Sequence, residues 1–248
     1  MAKRFDNKVA FITGGNSGIG KASALSAAKD GANIMIADLK EDKAVLKEIE
    51  ALGVKAAFVT CDVAKPMAVK EAVNATVKTF GSLDIGLNNA GIGDHDVIHE
   101  KKIEEWQKVI DINLSGVFYC MKYEIEQMLK QESGGTIINI SSILGQVGAE
   151  GAAAYVAAKH GVIGLTQTAA LEYGTKGIRI NAIGPGYIET PLINSMDKET
   201  LDALKEKHAM KRLGQADEVA RAFIWLASED SSFMTGDYIP VDGGYLAQ

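Results

Sequence analysis

Short apolar runs alternate with longer amphipathic stretches along almost the whole chain. The apolar runs lack polar alternation, which is typical of strands buried on both faces of a parallel sheet. Right-handed crossovers through the intervening helices then predict a doubly wound α/β fold of about seven strands, with helices on both faces. The predicted strands span residues 8–13, 33–37, 56–60, 83–87, 135–140, 178–183 and 238–241, and the clearest helices span residues 19–29, 41–52 and 66–80.

The alternation is not interrupted by a Pro/Ser-rich linker, a charge block or an internal repeat. Hydrophobic residues make up 47% of the 248 residues, which is enough to fill a substantial core. We therefore expect residues 1–248 to form a single domain. Ligands of a doubly wound sheet bind at the carboxyl ends of its strands, so function should lie in the loops that follow them.

Charge and cysteine usage limit the partners and the compartment. The formal net charge is −6 and no basic block occurs, which argues against nucleic-acid binding because that binding depends on neutralising phosphates. There is no run of about 18 apolar residues and no signal-peptide core, so we expect no membrane association. Cys61 and Cys120 lie far apart and form no CxxC motif, which favours reduced thiols and a cytoplasmic protein.

A glycine-rich loop, Thr13-Gly-Gly-Asn-Ser-Gly-Ile-Gly20, joins the first predicted strand to the first helix. Its GxxxGxG spacing permits a tight turn, a close backbone approach to a pyrophosphate and close packing of helix on sheet. The helix N-terminus supplies free N–H groups and partial positive charge for that anion. An ordinary tight connection is the alternative. We expect a dinucleotide cofactor to contact Gly14, Asn16, Ser17, Gly18, Ile19 and Gly20.

Asp38 lies just past the second predicted strand, where an acidic residue that binds the adenosine ribose is expected. A carboxylate there repels a 2′-phosphate, and neither Asn16 nor Ser17 adds a compensating positive charge. This predicts NAD as the cofactor in preference to NADP. The alternative is a solvated Asp at a strand end.

Further motifs follow in order along the chain: Asn88-Asn-Ala-Gly91, Asn113, Ser142, Tyr155-x-x-x-Lys159 and Pro185-Gly186. With the glycine-rich loop, they make the sequence resemble the short-chain dehydrogenase/reductase family, specifically its soluble branch of roughly 250 residues. The resemblance spans nearly the whole chain. It implies an NAD-dependent oxidoreductase that transfers hydride between a secondary alcohol and a ketone.

A ketone reduction needs a proton donor for the nascent alkoxide, and the reverse reaction needs a base. Tyr155 is the candidate because Lys159 lies four residues on, on the same face of a helix. A nearby ammonium favours the phenolate and would lower the pKa of the hydroxyl. None of the other tyrosines has a lysine at this spacing. An exposed Tyr–Lys helix pair is the alternative.

Ser142 ends the fifth predicted strand, where its hydroxyl can hydrogen-bond a substrate oxygen as charge develops. Ser141 is the alternative to Ser142. The spacing typical of the family favours Ser142, but the properties of the two residues alone do not distinguish them. Asn113 lies in an otherwise apolar helical stretch. The resemblance implies that it distorts this helix and holds a water in a proton relay through Lys159; a buried Asn that caps a neighbouring helix is the alternative.

The resemblance also implies most of the remaining cofactor contacts. It places Asp62 and Val63 at the adenine, and Asn89 and Gly91 beside the adenosine ribose and diphosphate. Tyr155 and Lys159 would contact the nicotinamide side of the cofactor. The remaining contacts would follow the sixth strand, at Pro185, Gly186, Ile188 and Thr190.

The substrate is poorly specified by the sequence. Residues 190–212 are predicted to form a lid, over an apolar pocket of Ile143, Leu144, Gln146, Val147, Tyr187, Leu192, Ile193 and Met196. A compact or cyclic alcohol is one hypothesis. A metal site at His95 and His99 is disfavoured because no third ligand accompanies them. The family implies a homo-oligomer, commonly a tetramer, with apolar stretches around 152–172 and 223–246 as interfaces.

Two other functions are weighed against the dehydrogenase. A 3-oxoacyl-thioester reductase of fatty-acid synthesis resembles this chain closely, but such enzymes usually carry a basic residue for NADP where Asp38 stands. A non-catalytic NAD-binding scaffold or sensor is the other, and the intact Asn–Ser–Tyr–Lys set argues against it.

Overall fold

The computed structural model describes residues 3–194 and 197–247, without the side chains of Leu192 and Asn194. Seven parallel strands form one sheet in the order β3-β2-β1-β4-β5-β6-β9, and β7 and β8 pair in a separate two-stranded sheet. The strands are β1 (Val9–Thr13), β2 (Asn33–Asp38), β3 (Ala56–Thr60), β4 (Ile85–Asn88), β5 (Gly135–Ile140), β6 (Ile178–Pro185), β7 (Ile188–Glu189), β8 (Gly214–Gln215) and β9 (Tyr238–Val241).

The helices lie between the strands and cover both faces of the sheet. They are α1 (Gly18–Lys29), α2 (Lys43–Glu50), α3 (Pro66–Phe80), α4 (Ile103–Ile110), α5 (Gly116–Met128), α6 (Ala153–Tyr173), α7 (Pro191–Asn194), α8 (Lys198–Glu206) and α9 (Ala216–Ala227). A π-helical turn, Asp111–Ser115, joins α4 to α5. Among the described residues, no helix combines the length and apolar character needed to cross a membrane.

Two hydrophobic cores sandwich the sheet, and alternate residues of β1 point into each. Ile12 packs with residues of α1, α2 and α9 on one face, whereas Phe11 packs with residues of α3, α5 and α6 on the other. Both side chains are fully buried. This two-sided burial is the reason that the strand sequences lack polar alternation, and it confirms the predicted doubly wound fold.

The strand order reverses between β1 and β4. From β1 the chain builds outward to β2 and β3, then returns to the other side of β1 to form β4. A doubly wound sheet opens its ligand crevice at this reversal, outside the carboxyl ends of the strands. The loops after β1 and β4, which carry the glycine-rich loop and Asn89, therefore face each other across the crevice.

Local structure departs from the sequence prediction at a few boundaries. The helix predicted over residues 41–52 is shorter, because the Asp42 side chain accepts hydrogen bonds from the Ala44 and Val45 amides and so begins α2 at Lys43. The fourth strand begins at Ile85 and not at residue 83, where the Leu83 backbone pairs with a glutamine side chain. The two-residue strands β7 and β8 were not predicted, since they are too short to leave an apolar run.

Candidate active site

The loop after β1 curls tightly around the start of α1. Gly14 and Gly18 adopt positive φ angles of +64° and +51°, which glycine reaches without steric cost. A Cβ on Gly20 would lie 2.2 Å from the Gly14 carbonyl oxygen, so loop and helix pack too closely for a side chain there. The sequence assigned these three glycines to a turn, a close approach and helix packing, and this geometry agrees with that assignment.

The N-terminus of α1 faces the crevice with its backbone donors available. Ser17 occupies the N-cap position without a side-chain cap, and the first turn contains no acidic residue. Its aligned N–H groups and partial positive charge are suited to an anionic ligand. The buried Asn16 Oδ1 has no hydrogen-bond partner among the described residues. A donor-rich cradle with an orphaned acceptor beside it suits a dinucleotide with a diphosphate and hydroxyl groups.

Asp38 lies at the end of β2, directly beside the glycine-rich loop. Its Oδ2 accepts a hydrogen bond from the Asn16 amide at 3.3 Å, and its Oδ1 accepts one from the Leu39 amide at 2.7 Å. The Asn16 side chain donates to the Lys40 carbonyl oxygen at 2.6 Å. These bonds hold the carboxylate at the edge of the cradle, where a ribose attached to the diphosphate would lie.

Asn89 ties the loop after β4 to the glycine-rich loop. Its side-chain amide donates to the carbonyl oxygens of Thr13 and Gly14 at 3.0 and 3.1 Å. The Thr13 hydroxyl in turn accepts hydrogen bonds from the Asn89 and Ala90 amides. The sequence placed Asn89 beside the adenosine ribose. In the structure its side-chain amide is used to hold the glycine-rich loop against the loop after β4.

Asn113 lies in the π-helical turn and is fully buried. Its Oδ1 accepts from the Ile92 amide at 3.2 Å, and its Nδ2 donates to the Ile92 and Val109 carbonyl oxygens, both at 3.1 Å. A Cβ on Gly91 would lie 2.6 Å from Asn113 Oδ1. The helix distortion that the resemblance implied is present, and it brings Asn113 against the loop after β4.

Ser141 and Ser142 follow β5 with different partners. The Ser141 hydroxyl donates to the Lys159 carbonyl oxygen at 2.9 Å. The Ser142 hydroxyl accepts from the Leu144 amide at 3.1 Å and acts on the Tyr155 hydroxyl so as to lower its pKa. Of the two serines, Ser142 is therefore the one whose hydroxyl acts on Tyr155.

Tyr155 and Lys159 occupy one face of α6, with Lys159 Nζ 5.4 Å from the centre of the Tyr155 ring. The ammonium donates to the Ile140 carbonyl oxygen at 2.8 Å, and the residue is only 3% exposed. Burial lowers the pKa of Lys159 to about 8. Burial also raises the pKa of Tyr155, although the bond with Ser142 opposes that shift. The lowered tyrosine pKa expected from the sequence is thus wrong here, because burial disfavours the charged form of both groups.

The chain after β6 closes the other end of the crevice. The Gly186 amide donates to the Val241 carbonyl oxygen at 3.0 Å, and Ile188 is buried in β7, which pairs with β8. A Cβ on Gly18 would lie 3.2 Å from the Thr190 methyl group. Thr190 therefore packs against the glycine-rich loop.

His208 is a residue of this region that the sequence reasoning missed. It is 1% exposed; its Nε2 accepts from the Tyr187 amide at 3.2 Å and its Nδ1 lies 2.9 Å from the Leu204 carbonyl oxygen. Its ring makes edge contacts with Tyr187 and Tyr245. His208 thus fastens the segment after α8 to the loop after β6. A lone histidine in a charged stretch gave no sequence signal of this contact.

Two further predicted contacts lie after β3, and the predicted pocket is only partly described. Asp62 accepts a hydrogen bond from the Ala64 amide at 3.0 Å, and Val63 is buried against Gly116. Ile143 and Leu144 are buried, whereas Gln146 and Val147 are exposed. The remaining predicted pocket residues divide into two partly buried side chains, Tyr187 and Ile193, and two outside the described side chains, Leu192 and Met196.

The fold and crevice define a dinucleotide-binding protein of the Rossmann type. A family model described as enoyl-(acyl carrier protein) reductase matches residues 14–246. Cyclohexanol dehydrogenase of Acinetobacter sp. (strain SE19) is 47% identical over 251 residues, covering 100% of this chain and 98% of that protein. A 3-oxoacyl-[acyl-carrier-protein] reductase of Staphylococcus epidermidis (strain ATCC 35984) is 42% identical over 241 residues, covering 96% and 98%.

A solved structure extends this likeness to three dimensions. Carveol dehydrogenase from Mycobacterium avium, in complex with NAD, superposes with a TM-score of 0.93 at 30% identity, covering 99% of this chain and 100% of that one. The chain belongs to the short-chain dehydrogenase/reductase family. This confirms the family that the sequence motifs indicated.

Proposed function

We propose that this protein is an NAD-dependent oxidoreductase that interconverts a secondary alcohol and a ketone. The observation that carries the proposal is the meeting of Ser142, Tyr155 and Lys159 at the carboxyl end of β5, beside the dinucleotide crevice. The likeness to cyclohexanol dehydrogenase over the full chain supports the same reaction class. When bound, the nicotinamide cofactor supplies or accepts the hydride.

Tyr155 is the proposed acid and base. Its hydroxyl gives a proton to the forming alcohol oxygen in reduction and removes that proton in oxidation. Ser142, which acts on the same hydroxyl, donates to the substrate oxygen and stabilises the charge that develops there. The two hydroxyls together fix the position of the reacting oxygen.

Lys159 supports the proton transfer from within the helix. Its pKa of about 8 makes it a cation at neutral pH, and a cation near the phenol opposes the rise in the pKa of Tyr155 that burial causes. The anchor to the Ile140 carbonyl oxygen holds the ammonium in place. We further propose that Lys159 holds the nicotinamide ribose and that Asn113 supports a water relay through Lys159.

The preference for NAD rests on Asp38. The carboxylate is fixed at the edge of the cradle by two backbone amides, where it can accept hydrogen bonds from ribose hydroxyls. It would repel a 2′-phosphate at the same position. The remaining proposed cofactor contacts are those that the sequence motifs indicate: Gly14, Asn16, Ser17, Gly18, Ile19, Gly20, Asp62, Val63, Asn89, Gly91, Tyr155, Pro185, Gly186, Ile188 and Thr190.

A cyclic secondary alcohol is the proposed substrate class. Helices α7 and α8 follow the crevice loop directly and form the proposed lid over residues 190–212, fastened at His208. Tyr187 adds an aromatic, partly buried side chain to the loop after β6, and Ile143 after β5 is buried. The names of the similar cyclohexanol and carveol dehydrogenases support a ring substrate.

We propose a cytoplasmic homo-oligomer, a tetramer by family resemblance. Two large apolar side chains stand exposed in the stretches expected to form interfaces: Leu171 is 87% exposed on α6 and Phe233 is fully exposed before β9. Both cysteines are free and buried, which suits a reducing compartment. Light scattering coupled to gel filtration tests the oligomeric state, and a monomer would contradict it.

The decisive experiment follows nicotinamide absorbance with purified protein, NAD or NADP, and a panel of cyclic and linear secondary alcohols. We expect NAD-dependent oxidation of a cyclic alcohol, and Tyr155→Phe should lower turnover by at least ~10²-fold, as loss of a general acid/base does. Near-normal activity of Tyr155→Phe would contradict the assigned chemistry.

The same experiment separates the two alternatives. The 42% identical 3-oxoacyl-[acyl-carrier-protein] reductase is consistent with the first alternative. A 3-oxoacyl-thioester reductase would turn over 3-oxoacyl thioesters faster than any alcohol. A scaffold or sensor would bind NAD without turning over any substrate of the panel. The placement of Lys159 beside the Tyr155 ring, with Ser142 acting on the Tyr155 hydroxyl, favours an active enzyme over a scaffold.

A further inference from the structure

The helix that carries Tyr155 and Lys159 has no cap of its own. Ala152 occupies the N-cap position of α6 and offers no side-chain acceptor. The first backbone N–H groups of a helix have no partner within it and need one from elsewhere. For α6 that partner comes from far away in the sequence, in the loop after β4.

The Asp94 carboxylate fills this position. Its Oδ2 accepts hydrogen bonds from the Ala154 amide at 2.8 Å and from the Tyr155 amide at 3.2 Å. These are the second and third residues of α6, the amides that an N-cap side chain normally satisfies. One carboxylate oxygen is therefore bonded directly to the backbone of the proposed acid/base residue.

Lys101 holds Asp94 from the other side. Its ammonium hydrogen-bonds Asp94 Oδ1, and the two side chains are only 6% and 1% exposed. Lys101 also lies 3.6 Å from Asp96 at the rim. The buried ion pair keeps a carboxylate close to Tyr155 without leaving its charge uncompensated, and an uncompensated anion there would raise the pKa of the phenol.

We propose that Asp94 is a positioning residue of the active site, which fixes Tyr155 by capping the N-terminus of α6 from the loop after β4. Lys101 holds the carboxylate in its capping orientation. The loop that begins at the cofactor crevice and the helix that carries the proton donor are thereby locked together. This inference rests on the proposed role of Tyr155.

The test compares Asp94→Ala with Asp42→Ala, in which an equivalent cap is removed from α2 outside the site. Asp42 accepts from the Ala44 and Val45 amides as Asp94 does from those of α6. Both variants should unfold at a lower temperature, because each loses a cap. Only Asp94→Ala should lower kcat for alcohol oxidation, by ~10-fold or more, since a small misplacement of a catalytic group is costly.

A pair of double variants separates the cap from the ion pair and keeps the test valid if Asp94→Ala fails to fold. Asp94→Asn/Lys101→Met retains an acceptor oxygen for the two amides, whereas Asp94→Ala/Lys101→Met has none. Both lack the unpaired buried cation. We expect the Asn form to keep kcat within ~3-fold of wild type and the Ala form to lose ~10-fold or more.

Hydrogen exchange at the Ala154 and Tyr155 amides gives a readout independent of turnover. Exchange should quicken ~10-fold in the Ala forms and not in Asp42→Ala or the Asn form. Equal kcat in the two double variants, or unchanged exchange at these amides in the Ala form, would overturn the proposal. If the wild-type protein oxidised no alcohol, the proposed function would be wrong. The hydrogen-exchange experiment would still test whether Asp94 caps α6.

Discussion

The Ser141 hydroxyl donates a hydrogen bond to the Lys159 carbonyl oxygen over 2.9 Å. This bond ties the end of β5 to the middle of α6 and holds Lys159 where its ammonium reaches the Ile140 carbonyl oxygen. The neighbouring hydroxyl of Ser142 is left to face Tyr155. Two adjacent serines of identical chemistry therefore have different partners, and Ser142 is the one that we propose to act in the reaction.

The two serines should respond differently to the same substitution. Ser142→Ala removes a donor aimed at the developing charge and should lower kcat ~10²-fold. It also removes the acceptor of the Leu144 amide and should cost about 1 kcal/mol of unfolding free energy. Ser141→Ala removes a buried scaffold hydrogen bond and should cost about 1 kcal/mol of unfolding free energy with a much smaller effect on kcat. Steady-state kinetics and urea unfolding measure both. The reverse pattern would assign the reaction to Ser141.

Asp38→Asn should shift cofactor preference toward NADP. Asn removes the negative charge that opposes a 2′-phosphate and keeps one of the two acceptor oxygens that the Asn16 and Leu39 amides use. We expect the ratio of kcat/KM for NADP to that for NAD to rise by ~10-fold or more, equivalent to at least about 1.4 kcal/mol of binding preference. Titrating both cofactors at saturating alcohol gives this ratio. An unchanged ratio would show that Asp38 does not select the cofactor.

Gly91→Ala should destabilise the protein through Asn113. The added methyl would lie 2.6 Å from Asn113 Oδ1, so the buried amide must move and lose bonds to Ile92. Such overpacking costs roughly 1–3 kcal/mol. Gly164→Ala is the matched control, because a Cβ there meets nothing within 4 Å and lies in α6.

Urea unfolding of both glycine variants measures the difference. Gly164→Ala should leave stability unchanged or raise it, since alanine is the better helix former. The double variant Gly91→Ala/Asn113→Ala should lose less than the sum of its single variants, because the clash is gone. Strict additivity would mean that Gly91 is constrained by something other than Asn113.

Glu124 should make stability fall as pH rises. Burial of this fully enclosed carboxyl raises its pKa from 4.5 to about 7, and the hydrogen bond from Asn88 opposes that shift. Between these values the folded state binds more protons at this site than the unfolded state does. The free energy of unfolding therefore decreases with pH across this window and levels off above it.

Glu124→Gln removes the titrating group and preserves the shape of the side chain. It should eliminate this contribution, which amounts to roughly 3 kcal/mol between acidic and mildly alkaline pH. Urea unfolding of both proteins across that range gives the difference. Parallel pH profiles for wild type and variant would show that the pKa of Glu124 is the same in the folded and unfolded states.

The sequence predicted the seven-stranded sheet because its strands are buried on both faces and leave long apolar runs. It missed β7 and β8, whose two residues each carry no pattern. The prediction also misplaced element boundaries where a side chain replaces backbone pairing. At Leu83, the Gln131 side chain takes the backbone hydrogen bonds, so the fourth strand begins later than predicted. Hydrophobic periodicity indicates burial averaged over several residues, so it does not detect single side-chain contacts of this kind.

What the sequence by itself determined is the doubly wound fold, the glycine-rich cradle and the set of residues that meet at the crevice, since local spacing and burial encode them. Only the tertiary structure decided which serine faces Tyr155, that burial raises the pKa of its hydroxyl, and that Asp94 caps α6 from 60 residues upstream. These outcomes depend on distances between residues remote in the chain and on how far each charge is removed from water, neither of which a linear pattern contains.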